Sequence, residues 1–194
     1  EEQLNEKCRK VLAFKYALGL DKPQFIQMSG LEQRLKRPET ERLLERLEKA
    51  SVTVMGNEGG ILPMELDLKN TAMLTIGKSK ESLPFHQKLS QYMKVDRIQA
   101  HPDSLTTISK RLAKYERVIV SIHTEKYASY QTMLNNLAAK VPVVCVYFTS
   151  LKNVYNKGAH WKKMAGVILA NSSSDAVQNH VADVLVGKQE ATGC

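Results

Sequence analysis

From Thr71 to Gly187 the chain alternates apolar runs of strand length with amphipathic stretches of helix length, and this alternation restricts the fold more than any other feature. The runs Val118-Ile119-Val120 and Val143-Val144-Cys145-Val146 are apolar at consecutive positions, so both faces of those strands must be covered, as in a central parallel sheet. Strands are predicted over Thr71–Gly77, Val95–Ala100, Arg117–Ile122, Val143–Phe148 and Ala165–Ala170. Helices are predicted over Ser82–Met93, Ser104–Tyr115, Tyr127–Lys140, Val154–Lys163 and Asp175–Gly187, the last with Asp175 near its cap. Right-handed crossovers turn this succession into a three-layer α/β/α sandwich with a flavodoxin-like parallel sheet of order 2-1-3-4-5. Ligands of such sheets sit outside the carboxyl ends of the strands, which directs attention to the loops starting at Gly77, His101, His123, Thr149 and Asn171.

The sandwich is preceded by a helical extension. Leu4, Cys8, Val11, Leu12 and Tyr16 recur at three- and four-residue steps and predict a helix from Glu2 to Leu18, closed by Gly19. Asp21–Gly30 reads as a loop. A second helix, beginning after Pro38 with Thr40, carries Leu43, Leu44, Leu47 and Ala50 on one face. Ser51–Met55 is a short strand or extended stretch, and Gly56–Pro63 turns the chain. The expected division is residues 1–50 as an extension or linker and 51–194 as the sandwich. A chain that opens inside an amphipathic helix is expected to be a fragment of a longer polypeptide.

Length and composition agree with that reading. A chain of 194 residues, 43% of them hydrophobic, can bury a real core. No run approaches the roughly 20 apolar residues of a spanning helix, and Glu1–Lys10 is too charged for a signal peptide. The net charge of +8 is spread among carboxylates, with no basic strand studded with aromatics, so no nucleic-acid partner is predicted. Cys8, Cys145 and Cys194 make neither a disulfide framework nor a metal spacing and leave the compartment undecided.

The loops at the strand ends lack the complete motifs of the common chemistries. Gly77-Lys78-Ser79 has the end of a phosphate-cradling loop, but Ala72 stands where the first glycine is required. Ser79 and Ser82 read as helix caps. A phospho-receiver needs an aspartate closing its third strand, and here that strand ends Ser121-Ile122-His123. None of His86, His101, His123, His160 and His180 forms a pair at ligand spacing, so neither a metal nor a cofactor is predicted. No Gly-x-Ser-x-Gly elbow occurs. His101, before Pro102 and Asp103, shapes a loop ahead of a cap at Asp103 or Ser104. The remaining cluster is His123, Thr124 and Glu125, an imidazole, a hydroxyl and a carboxylate at the end of a buried strand. Such a loop is more often the wall of a site than its acid or base.

The stretch Lys49-Ala50-Ser51-Val52-Thr53-Val54-Met55-Gly56-Asn57-Glu58-Gly59-Gly60-Ile61-Leu62-Pro63-Met64, followed by a strand ending Thr75-Ile76-Gly77, resembles the start of the C-terminal domain of glycoside hydrolase family 3. Members carry Ser-Val-x-Leu-Leu-Lys-Asn-Glu-x-x-x-Leu-Pro-Leu there, and Gly56 stands in place of their usual lysine. Cys8–Leu20 is similar to the helix that closes the family's barrel domain. Val118–His123, Val141–Val144, Gly187 and Ala191-Thr192-Gly193 match its third strand, fourth strand and exit.

The resemblance implies a retaining exo-acting β-glycosidase whose aspartate nucleophile is carried by an N-terminal (β/α)8 barrel of the same polypeptide, with a carbohydrate substrate. The two carboxyl groups of a retaining enzyme lie about 5 to 5.5 Å apart, and this chain supplies at most one of them. Glu125 is the positional candidate for the acid/base, with His123 and Thr124 as substrate-binding neighbours, although Lys126 favours the ionised carboxylate whereas an acid catalyst needs a raised pKa. The compact His123–Ser129 loop is more similar to the β-N-acetylglucosaminidase branch, where the barrel supplies its own acid/base, than to the β-glucosidase branch. The chain alone is then expected to be inactive, and family habit places the enzyme in the periplasm or at the cell surface. The competing expectation is an independent flavodoxin-like or receiver-like ligand-binding module.

Overall fold

The computed structural model describes every residue except 23, 24, 26, 27, 68, 151, 153, 155–162 and 194. Most of the helix expected over Val154–Lys163, with His160, and Cys194 lie outside the described residues. The chain divides into two compact units, Glu1–Glu41 and Arg42–Cys194. The first contains α1 (Glu2–Ala17) and α2 (Leu31–Leu35). No side chain of either helix is buried, and Leu4, Val11, Leu12, Phe14 and Tyr16 of α1 are all more than half exposed. The short α2 had no counterpart in the sequence reading, because five residues span too little of a helical repeat to register as a period. Helix α3 (Pro38–Ala50) starts at the proline itself, whose missing N–H and fixed φ suit a first turn.

The second unit holds the sheet, made of β1 (Thr53–Gly56), β2 (Thr71–Ile76), β3 (Val95–Gln99), β4 (Arg117–Ile122), β5 (Val143–Tyr147) and β6 (Gly166–Leu169), in the order β1-β6-β5-β4-β2-β3. Strands β2 to β6 are parallel and reproduce the expected 2-1-3-4-5 order. The addition is β1, which pairs antiparallel with β6 through Thr53↔Leu169 and Val54↔Ile168. Helices α4 (Leu83–Leu89), α5 (Leu105–Leu112), α6 (Gln131–Ala138) and α7 (Asp175–Leu185) complete the described layers. They are shorter than their periodicity predicts, because short 3-10 turns at Ser79–Ser82, Pro102–Ser104 and Ala128–Tyr130 continue the apolar pattern at their ends.

Strand alternation sorts the core into two halves. Ala72, Leu74 and Ile76, Val118, Val120 and Ile122, and Val143 and Cys145 face the side of α5 and α6, where Ile108, Leu112, Leu134 and Leu137 meet them. Met73, Ile119, Val144, Val146 and Ile168 face the side of α4 and α7, against Phe85, Leu89, Val181 and Leu185. Each such side chain contributes about 1.5 to 3 kcal/mol by leaving water, which is why the central strands carry no polar face over most of their length.

The turn entering the sandwich has a physical role of its own. The Asn57 amide donates to the Leu62 carbonyl (2.7 Å) and its Oδ1 accepts from the Leu62 N–H (2.9 Å), so one side chain closes the loop. The loop is then seated on glycines: a Cβ at Gly166 would stand 3.1 Å from Leu62 Cδ1, and one at Gly187, whose φ is +73°, 2.9 Å from Pro63 Cβ. Glu48 of α3 accepts from Ser172 Oγ (3.0 Å) and Ser174 Oγ (2.7 Å), and Ser174, rather than Asp175, caps α7 by accepting from the Val177 N–H. The exit returns to the same corner, where the Gly193 N–H donates to the Val52 carbonyl (2.9 Å).

Candidate functional site

The sheet reverses direction at β2, from which the chain goes to β3 on one side and later places β4 on the other. The carboxyl ends of β2 and β4 therefore flank the crevice where sheets of this kind bind ligands. Gly77 ends β2 there with φ +123°, and a Cβ on it would stand 3.1 Å from the backbone carbon of His123. The His123 N–H donates to the Ile76 carbonyl (2.8 Å) and fixes the start of the loop after β4.

Face alternation brings polar groups together at this end. Thr75, Arg97, Gln99, Ser121 and His123 lie on the α4/α7 side of the sheet, one or two positions beyond the apolar residues that fill its core, as the register Thr75↔Gln99 and Thr75↔Ser121 requires. Thr75 Oγ1 pairs with Ser82 Oγ (3.0 Å) and accepts from Ser121 Oγ (3.4 Å), all three residues being fully buried. Arg97 Nη2 donates to the Ser79 carbonyl, to Ser79 Oγ (3.1 Å) and to Ser82 Oγ (2.8 Å). Ser79 and Ser82 make no side-chain cap to their own helix; they receive the guanidinium instead. The Gln99 amide nitrogen donates to the carbonyls of Gly77 (2.8 Å), Thr75 (3.3 Å) and Ala100 (3.4 Å).

His123 is half-buried, with its ring stacked on Phe148 at a centroid distance of 4.6 Å and an interplanar angle of 14°. Phe148 in turn meets the edge of Phe85. Burial, and secondarily the charge of Arg97, pushes the His123 pKa from 6.5 down to about 4, so the imidazole is neutral at ordinary pH. Neither ring nitrogen has a hydrogen-bond partner among the described residues. Thr124, also half-buried, accepts from the Lys126 N–H (3.1 Å) and so turns its hydroxyl onto its own loop. Glu125 is exposed and makes no hydrogen bond to the imidazole. The three neighbours in sequence thus occupy three environments and are not assembled as an acid–base pair.

The sequence reading missed Arg97 and Gln99. Their signal was the alternation Val95, Arg97, Gln99 along β3, which carries an apolar position into two polar ones on a single face.

At the opposite, amino-terminal end of the sheet a groove of about 730 Å³ is lined by Gly60, Pro63, Tyr115, Arg117, Lys140 and Pro142, among others. Its buried Arg117 is fully engaged, with Asp67 (2.8 Å), Thr71 Oγ1 (2.7 Å) and the Glu65 carbonyl (3.1 Å). Burial raises the Asp67 pKa, but hydrogen bonds from Lys69 and the charges of Arg117 and Lys69 outweigh it and hold the carboxyl below its usual value. Arg117 therefore braces the strand bottoms. Cys145 is buried, its thiol pushed up to about 12 and so unreactive. Among the described residues no group of three or more His, Cys, Asp or Glu is placed to hold a metal, and no helix is long and apolar enough to cross a membrane.

These features define a doubly wound α/β sandwich with one antiparallel edge strand. The same fold occurs within solved enzymes of glycoside hydrolase family 3. The chain is similar to part of a fungal multi-domain β-N-acetylglucosaminidase (14% identity, TM-score 0.66, covering 87% of this chain and 20% of the other). It is also similar to part of a β-N-acetylglucosaminidase from Paenibacillus sp. str. FPU-7 (17%, 0.60, 100% and 39%) and of the β-glucoside phosphorylase BglX (17%, 0.65, 100% and 38%). The chain thus spans well under half the length of each. No family model and no curated protein sequence matches it.

Proposed function

We propose that this chain is the C-terminal α/β domain, with its helical lead-in, of a retaining exo-acting β-glycosidase of family 3, of the β-N-acetylglucosaminidase type. The observation that supports the reading is the fold likeness over 87–100% of this chain to parts of three solved enzymes, two of them family-3 β-N-acetylglucosaminidases. In this reading the attacking aspartate and the acid/base belong to a (β/α)8 barrel elsewhere in the polypeptide, and the sandwich supports it. In this reading Glu125, exposed on the loop after β4, is not the acid/base that the β-glucosidase-type arrangement would draw from this loop. An enzyme of this kind acts on wall or polysaccharide sugars in the periplasm or at the cell surface.

Hydrolysis of chromogenic N-acetyl-β-glucosaminide and β-glucoside by the full-length protein and by the 194-residue chain tests the proposal. The full-length protein should turn over the glucosaminide faster, and the chain alone should turn over neither. Activity of the chain alone would end the supporting-domain reading, and a full-length protein inert towards every β-glycoside would end the glycosidase reading. The second reading, a self-sufficient binding module, draws on the fact that Arg42–Cys194 encloses both core clusters.

A further inference from the structure

Four buried side-chain polar atoms have no partner among the described residues: Arg97 Nε, Gln99 Oε1 and the two ring nitrogens of His123. Their residues share one face of the sheet at the carboxyl ends of β3 and β4, and Gly77, whose carbonyl accepts from the Gln99 amide (2.8 Å), packs against His123. Buried polar groups are nearly always paired, so four such atoms together on one face of β3 and β4 are not a random residue of imperfect packing. Their chemistry is specific. Three carbonyls fix the orientation of the Gln99 amide through its nitrogen, which leaves Oε1 as an acceptor in want of a donor. Arg97 Nε is a donor only. The neutral imidazole offers one donor and one acceptor. The cluster thus presents two donors and two acceptors.

A pure anion fails this test, because two acceptors would face it, and a cation fails it beside Arg97. A water molecule, which donates two hydrogen bonds and accepts two, satisfies it, as do two neighbouring hydroxyls of a polyol. We propose that Arg97, Gln99 and His123 form a binding site for a water molecule, or for a pair of neighbouring hydroxyls of a polyol such as a sugar, at the switch point of the sheet. Stacking on Phe148 holds the imidazole plane, and the hold of Ser79 and Ser82 on Nη2 leaves Nε of Arg97 as the free edge of the guanidinium. The bound water or hydroxyl pair links edge strand β3 to the end of central strand β4. This inference does not rest on the glycosidase reading, since a water satisfies the same four atoms whatever the chain does.

Imidazole ¹⁵N spectra of the 194-residue chain test it. His123 should show one fixed tautomer with an N–H that exchanges at least about tenfold more slowly than that of exposed His101. In Gln99→Leu, that exchange should accelerate by a similar factor. Resonances of wild-type His123 that move on adding glucose or N-acetylglucosamine assign the site to a polyol; resonances indifferent to both, with the N–H still protected, assign it to water. A His123 that mixes tautomers and exchanges as freely as His101 in the wild-type chain overturns the site without recourse to the variant, as does an exchange rate untouched by Gln99→Leu in a folded protein.

Discussion

At the scale of residues, His123 carries the sharpest consequence. Its folded pKa of about 4 lies below the 6.5 of an unperturbed histidine, so the unfolded chain takes up a proton between those values while the folded chain does not. Stability from this residue is complete above pH 6.5 and is lost as the pH falls towards 4, a change of at most about 3 kcal/mol. His123→Phe keeps the stack on Phe148 and removes the titration, so urea melts at pH 7 and pH 4.5 should differ less in the variant than in the parent. An unchanged difference would mean that the imidazole is solvated. Glu125 has the opposite outlook. Exposed and unlinked to the imidazole, it should tolerate Glu125→Gln in the full-length enzyme with kcat/KM altered less than about twofold, whereas loss of the 100-fold or more typical of general acid catalysis would reinstate it.

At the scale of elements, the loop Asn57–Leu62 shows what the most recognisable stretch of sequence does. Ser51, Val52, Asn57, Glu58, Leu62 and Pro63 match the family stretch, and the structure gives three of them mechanical roles: Asn57 clamps Leu62, while Leu62 and Pro63 sit on Gly166 and Gly187. Asn57→Ala removes both clamp bonds around a partly buried peptide and should cost about 1 to 3 kcal/mol in thermal or urea unfolding. A neutral substitution would show that the seat on the glycines suffices. Gly193 is a stricter position, since a Cβ there would stand 2.8 Å from the carbonyl oxygens of Ser51 and Val52.

The elements also show where sequence reading ends. β4 and β5 were legible because uninterrupted Val and Ile runs have few other places to go. The pairing of Thr53–Gly56 with β6 was not, because an antiparallel partner is chosen by tertiary register and leaves no period in either strand. The candidate site was legible only as a place. His123 could be located at a strand end, but Arg97 and Gln99 come from a strand separated from it by β2 in the sheet, and only the assembled register brings them to the same face.

At the scale of the whole molecule, apolar surface is what separates the proposed supporting domain from the self-sufficient module by experiment. Leu43, Leu44 and Leu47 of α3 are each more than half exposed, three large apolar side chains on one helix of the second unit. The 194-residue chain should therefore self-associate at micromolar concentration in sedimentation velocity, and Leu43→Glu with Leu47→Glu should return it towards monomer. A monodisperse parent would favour the independent module.

The central claim is that this sandwich supports a sugar-cleaving centre held elsewhere in the same protein. Trapping the full-length enzyme with a fluorinated β-glycoside that stalls at the covalent glycosyl-enzyme stage, followed by peptide mapping, tests it most directly. The account predicts the sugar on an aspartate outside these 194 residues; a label on Glu125, or on any carboxylate between Glu1 and Cys194, would contradict it.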